Sequence, residues 1–454
     1  MIRLFLVELR RSNAPAMGVL IAAVSMAALA TDQQAWKLQW IRLAIEQAGA
    51  LPIVVPLAMG GGAMLGRRER RTGADEVMAS TARPRWQRIT LPAAALAVTL
   101  IVAYLLPFVL GGVVVSRFTD YASVRTLLVP LTDAPLLFGS AWLGYAAGRS
   151  WSSRLVPPVL AAASMAGQLR LSLLKPAEGR LTWLDSLLLV VAPPSYDWET
   201  VTGNAMLGRL ALGVGLVAAG FLLAAATRWS TRATAVAVLA VALSAAAYLP
   251  GAGQDGAYGR YSVDRAAQRL VCSDGTPQVC VTAVHSRALG EATTQARRAL
   301  ELLARLPGAP QRAVEWRAAT TNDYYGAVFF PEPDSVPVPA GTVTFDIDEV
   351  TGRPEPHLVE NLIWGAGAPR HHCPPENDDD AVAKAAAGAW LMGTDHIPAD
   401  SWPLVQALDT RVHDTVQKLR TVPAGEQVRR VAALRDAATA CRPGLLPVLT
   451  GTHG

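Results

Sequence analysis

No cysteine precedes Cys272, and the apolar stretches that fill the first 250 residues contain almost no charge. The first absence excludes a disulfide framework for that part of the chain. The second excludes an ordinary soluble surface there. It also counts against ion-coupled transport, which needs titratable groups at membrane depth; only Asp133, in the outer half of one stretch, and Arg170, near the end of another, come close. A third absence is a Gly-rich loop followed by Lys and Ser or Thr, the cradle that ATP hydrolysis requires. Gly60-Gly61-Gly62 has no Lys after it and reads as a site of close helix packing. The chain is therefore expected not to be an enzyme and to bind no cofactor of its own. Internal repeats and long low-complexity tracts are lacking too.

What is present is unevenly placed. Of the 454 residues 51 % are hydrophobic, and the mean hydropathy is +0.27. Residues 1–250 carry 22 Lys and Arg against 12 Asp and Glu, whereas residues 251–454 carry 19 against 24. This asymmetry divides the chain into a basic, apolar part and a mildly acidic, soluble part. The arginines cluster at the ends of apolar segments rather than on one polar face, which excludes nucleic acid as the partner.

Seven segments approach the roughly 20 apolar residues that a membrane-spanning helix needs. They are Pro15–Leu29, Leu51–Leu65, Leu91–Val115, Leu127–Ala147, Leu155–Gln168, Leu210–Thr227 and Ala233–Leu249. The loops after the second, fourth and sixth hold Arg67, Arg68, Arg70, Arg71, Arg83, Arg85 and Arg88, then Arg149 and Arg154, then Arg228 and Arg232. Short loops rich in Arg face the cytoplasm. The N-terminus, with Arg3, Arg10 and Arg11, falls on that side, and seven crossings put everything after Leu249 outside. The expected protein is thus a multi-pass cell-membrane protein: an all-α bundle of about seven transmembrane helices followed by a soluble α+β extracytoplasmic domain. Residues 1–12 are expected to lie as a cytoplasmic surface helix or to begin the first span, 13–250 to form the membrane domain and 251–454 the outer domain. Ala28-Leu29-Ala30 after a basic start also resembles a signal-peptide cleavage site; retention of the segment is expected. Between Leu169 and Gly208, Trp183, Pro193-Pro194, Tyr196 and Trp198 suggest a re-entrant or surface helix forming a partly buried lid.

Cys272, Cys280, Cys373 and Cys441 all fall in the part placed outside, which reads as two disulfides. Four cysteines allow three pairings. Cys272 with Cys280 is favoured by the turn chemistry of Ser273-Asp274-Gly275-Thr276-Pro277 between them, and Cys373 with Cys441 follows by elimination; buried free thiols are the alternative. In the same domain Arg269–Cys272 and Val279–Val284 read as a hairpin, Arg287–Leu306 as an amphipathic helix, and Arg312–Ala318, Gly326–Phe330 and Thr342–Ile347 as strands, the last with Val343, Phe345 and Ile347 inward. Helices are expected at Pro356–Gly365, Asp380–Met392, Ser401–Leu419 and Gly425–Cys441.

One enzymatic pattern needs weighing. His357-Leu358-Val359-Glu360-Asn361 is one residue short of the H-x-x-E-H zinc-peptidase signature, with His371, His372 and Glu376 following. Asn361 stands where a second ligand should be, so an ordinary surface helix or a degenerate peptidase-like fold is expected, and no metal. Asp378-Asp379-Asp380 is read as a helix N-terminus favoured by its dipole.

The arginine cluster carries the one family resemblance. Arg67-Arg68-Glu69-Arg70-Arg71-Thr72-Gly73-Ala74-Asp75-Glu76-Val77-Met78, followed by Arg83-Pro84-Arg85-Trp86-Gln87-Arg88, resembles the first cytoplasmic loop of permease subunits of type-2, exporter-like ATP-binding-cassette (ABC) transporters. The resemblance covers residues 1 to about 230. It implies that Gly73, Asp75, Glu76, Val77 and Met78, with Arg83 and Arg85, form a coupling helix seated in a groove of a separate cytoplasmic ATPase subunit that holds the ATP and magnesium. It implies further a second membrane subunit, identical or different, and a bilayer setting. The family's six spans end with a cytoplasmic C-terminus, so a seventh span and an outer domain are departures. A membrane-anchored sensor or binding protein is the alternative from another class.

Overall fold

The computed structural model describes residues 13–71, 85–151, 153–173, 193–249, 261–319, 336–369, 377–396 and 406–451. The surface helix expected at 1–12, most of the lid expected before Pro193 and the strand expected at Gly326–Phe330 lie outside them. The chain divides into two compact units that part between Asp264 and Arg265.

The first unit is helical: α1 (Ala14–Thr31), the one-turn α2 (Gln33–Trp36), α3 (Trp40–Ala48), α4 (Leu51–Arg71), α5 (Arg85–Val115), α6 (Val124–Ser150), α7 (Val156–Leu173), α8 (Gly203–Ala225) and α9 (Trp229–Tyr248). Five of these, α1, α5 from Ala93, α6, α8 and α9, are long and apolar enough to cross a membrane. The pair α3 and α4, bent by 45°, makes a sixth if counted as one broken span. Seven are not confirmed, because α7, expected as the fifth span, is diluted by Pro157, Pro158, Ser164, Gln168 and Arg170. The bend was not foreseen either. Arg42 and Glu46 make α3 amphipathic, so it reads as loop rather than as the start of a span.

Apolar side chains in this unit point both ways. Val19, Val102, Val109 and Val241 are 60–71 % exposed, while Leu100, Tyr104, Leu136, Leu137 and Tyr145 are buried. Of the five long apolar helices α6 is the most enclosed, and it packs on α4, α5 and α8. Further along, Tyr196 stacks on Trp198 at 5.1 Å. There β1 (Glu199–Val201) pairs antiparallel with β2 (Tyr261–Val263), and Tyr121 donates to Asp264 at 2.6 Å.

The second unit is built on a four-stranded sheet. β3 (Leu270–Cys272) and β4 (Gln278–Thr282) form the expected antiparallel hairpin. α10 (Leu289–Leu303) then carries the chain to β5 (Arg312–Glu315), which runs parallel to β4, and β6 (Thr342–Phe345) lies parallel to β5. A separate antiparallel pair follows, β7 (Ile347–Asp348) with β8 (Arg353–Pro354). The helices are α11 (Leu358–Ile363), α12 (Asp378–Met392), α13 (Asp409–Arg420), α14 (Ala424–Thr439) and α15 (Leu445–Thr450). Val343, Phe345 and Ile347 all point inward, as their alternation predicts, against Ala292, Ala296, Leu300 and Leu303 of α10. Asn377 caps α12 by accepting from the Asp380 N–H at 2.9 Å, and Asp378, Asp379 and Asp380 fill its first turn. On α14, hydrogen bonds from Arg430 and Arg429 hold the Glu426 carboxyl below its ordinary range.

Candidate functional site

Two helices of the first unit carry the segment singled out by its arginines. α4 runs out to Arg71 with Arg68, Arg70 and Arg71 in its last turn, where cations meet the negative end of the helix dipole. Arg85 opens α5. Gly73, Asp75, Glu76, Val77, Met78 and Arg83 lie between them, outside the described residues.

The end of α4 is fastened to the end of α6 by two devices. The first is a glycine seam. A Cβ on Gly62 or Gly66 would fall 1.9 and 2.2 Å from the carbonyl oxygens of Ala141 and Tyr145, and one on Gly144 or Gly148 would fall 1.9 and 2.1 Å from those of Met59 and Ala63. Two backbones this close tolerate only glycine, and the paired G-x-x-x-G spacing repeats the contact one turn on. The second device is polar. Tyr145 and Arg149 of α6 both hydrogen-bond Glu69 of α4, the arginine at 3.2 Å, and Arg149 also donates to the Tyr145 hydroxyl at 3.3 Å. In return Arg70 donates to the Arg149 carbonyl at 2.9 Å and to that of Ser150, satisfying acceptors that the end of α6 leaves open. The arrangement fixes the end of α4 to the end of α6 through backbone contact and hydrogen bonds.

Of the Gly60-Gly61-Gly62 run, only Gly62 belongs to this seam; Gly60 makes ordinary contact with α7, and Gly61 meets the flexible Met17 side chain. Gly66, Gly144 and Gly148 escaped the sequence reading, although their four-residue spacing was legible in it.

A second polar cluster lies deeper. Asp133, fully buried, accepts from Arg209 of α8 at 2.9 Å and from the Tyr104 hydroxyl at 3.2 Å. The Gln47 amide donates to the Tyr104 carbonyl at 2.9 Å, joining α3 to the cluster. Asp133 stands nine residues into α6, or about 14 Å along its axis. Both its oxygens are occupied, so the cluster is a closed ion pair. Arg209 was invisible as its partner because the apolar run begins at Leu210. The helix begins earlier, at Gly203, where Thr202 caps it by accepting from the Ala205 N–H. Likewise Arg42 of α3 forms an ion pair with Asp197, whose side chain is 1 % exposed, across 155 residues of sequence.

In the second unit Cys272 and Cys280 form the expected disulfide. Cys441 is also disulfide-bonded, and Cys373 lies outside the described residues, as do His371, His372 and Glu376. The peptidase-like pattern does not form a helical ligand pair. His357 sits before α11 in the left-handed region at φ 64°, and Asn361 donates to Glu355 at 2.8 Å. Thr282, His285 and Glu315 make a buried polar knot, with His285 Nδ1 2.6 Å from Glu315 Oε1 and the carboxylate accepting also from the Thr282 backbone and hydroxyl. Beside it, burial holds the Arg317 guanidinium below its ordinary value, against the pull of Glu315.

Comparison with known proteins gives no match: no family model, no curated protein and no solved structure is similar to the chain.

Proposed function

We propose that this chain is the membrane subunit of an ATP-driven exporter of the ABC type, coupled through residues 73–78 to a separate cytoplasmic ATPase chain. One observation carries the reading: the segment bearing the arginines, Gly73, Asp75, Glu76, Val77 and Met78 follows a helix whose end is joined by glycine backbone contact and the Glu69, Arg70 and Arg149 hydrogen bonds to α6, the most enclosed of the five long apolar helices. A joint of that kind transmits a push without absorbing it. In this reading the arginine end faces the cytoplasm, a second membrane subunit completes the pathway, and the ATPase supplies ATP and magnesium. The buried Asp133–Arg209 pair braces three helices rather than carrying a coupling ion, since its acceptors are already taken.

The test is co-purification with the ATPase chain. Glu76→Arg and Met78→Asp are expected to abolish it while leaving membrane insertion intact; binding and transport retained in both variants would remove the coupling assignment. The second unit, with a core of its own, favours one rival, a membrane-anchored binding protein whose helices only hold it. That rival expects no ATPase to co-purify with the unaltered chain.

A further inference from the structure

The second unit holds a group of side chains that neither reading uses. α12 ends at Gly393, in the left-handed region, and the turn after it presents Asp395 and His396. α13 begins with Asp409 and places His413 four residues on, one turn further along the same face. The two imidazoles stack at 4.7 Å. His396 Nδ1 lies 2.8 Å from Asp409 Oδ2, and its Nε2, on the other side of the ring, lies 3.9 Å from Asp395 Oδ1. His413 Nδ1 is buried, lies 3.4 Å from Asp395 Oδ2 and makes no hydrogen bond. Gln417 donates to Asp395 Oδ2 at 2.8 Å and fixes that carboxylate in place. Arg420 approaches the same oxygen at 3.9 Å but directs its own hydrogen bond to the Thr394 carbonyl at 2.8 Å.

We propose that Asp395, His396 and His413 bind a zinc-class divalent metal ion, with Asp409 orienting His396 from behind. One donor atom from each of the three lies within 4.8 Å of the other two. A tetrahedral ion held at zinc's ordinary distances has ligand atoms about 3.4 Å apart; His413 Nδ1 already lies at that distance from Asp395 Oδ2, and His396 Nε2 lies 3.9 Å from Asp395 Oδ1, so the ion would draw the carboxylate and the exposed His396 ring together. Two imidazole nitrogens and one carboxylate suit zinc and its neighbours, and are a poor set for calcium or magnesium, which want oxygen. A carboxylate behind a ligating histidine fixes its tautomer and raises its basicity, which is the part Asp409 plays. The side chains of His396, His413 and Asp395 are 58, 36 and 30 % exposed, so the fourth position is open to water. The ion would tie the end of α12 to the start of α13. Nothing in this depends on the transport reading.

The experiment uses the purified full-length protein with zinc chloride alone: equilibrium dialysis followed by metal analysis. About one zinc per chain is expected to remain, and the His396→Ala/His413→Ala double variant should lose it. Asp409→Asn should keep the stoichiometry but weaken binding by about 10- to 100-fold, as removing a carboxylate behind a metal ligand does. Cobalt chloride should give the visible spectrum of nitrogen-ligated tetrahedral cobalt with the unaltered protein and not with the double variant. Should that variant fail to fold by circular dichroism, His413→Gln replaces it with the same expectation. Less than about one-tenth zinc per chain in the unaltered protein would overturn the proposal. So would unchanged zinc in the folded variants, which would place the ion elsewhere, as at His371 and His372.

Discussion

The two units solve opposite problems with the same small residues. In the sheet-containing unit alanines fill the space between sheet and helices: Ala292, Ala296 and Ala299 of α10 and Ala383, Ala385, Ala386 and Ala387 of α12 are buried beside Leu and Val. In the helical unit Leu and Val are spread over the outer surface as well, and the helices meet through glycine backbone contact and hydrogen-bonded charge. Water rewards the first arrangement, because burying apolar area is itself the driving force. Between helices whose surroundings are as apolar as their side chains that force is missing, and close packing with hydrogen bonds must replace it. The contrast identifies which residues are indispensable in each unit, and it can be broken by substitution.

The largest effect is expected at the glycine seam. Gly144→Leu or Gly66→Leu would drive a side chain into the backbone of the facing helix, where no rotamer offers relief. Overpacking ordinarily costs about 1–3 kcal/mol, and overlap with main chain on both sides should exceed this. Loss of the monodisperse peak in detergent size-exclusion chromatography is the expected reading. Gly167→Leu on α7, where nothing lies within 4 Å of the added group, is the control and should elute unchanged. Equal behaviour of the two would mean that the seam carries no weight.

Next comes the buried ion pair. Arg209→Leu leaves Asp133 buried without its counter-ion, an expected cost of about 3–5 kcal/mol, whereas Asp133→Leu with Arg209→Leu removes both charges and should recover most of it. Thermal unfolding in detergent measures the cycle. A double variant as unstable as the single one would show that the pair acts through shape and not charge.

These positions also show how far the sequence could be read. Five of the seven apolar runs correspond to helices long and apolar enough to span, since a span is a local property of about 20 residues. The alternation of Val343, Phe345 and Ile347 announces an inward strand face for the same reason. The pairings are not local. Arg209 joins Asp133 across 76 residues and Arg42 joins Asp197 across 155, so nothing near either partner betrays the other. The zinc-class site is scattered in the same way over 395, 396, 409 and 413, while the compact His357 pattern, which does resemble a site in sequence, is split between a left-handed His357 and the helix α11 that follows it. Between these extremes stands the glycine seam: its spacing was legible in each helix, and only the identity of the facing helix was not.

The smallest of the three effects bears on the covalent difference between the units. The sheet-containing unit joins its first hairpin through Cys272 and Cys280, at directly opposed positions of β3 and β4. The loop they close is short, so Cys280→Ser is expected to cost about 2–3 kcal/mol in the chain-entropy account. Reductant should lower the melting temperature of the unaltered protein at least to that of a Cys272→Ser/Cys280→Ser variant, because it also opens the Cys441 disulfide. The helical unit, without cysteine before residue 272, has nothing for reductant to act on. Its unfolding, followed through the fluorescence of Trp142 packed between Phe138 and Phe221, should therefore not move. If both transitions shift together under reductant, the two units unfold as one cooperative body and the contrast between them is one of composition only. If only one shifts, each unit keeps its own stability, and the distribution of cysteine along the chain records which of them needs a covalent brace.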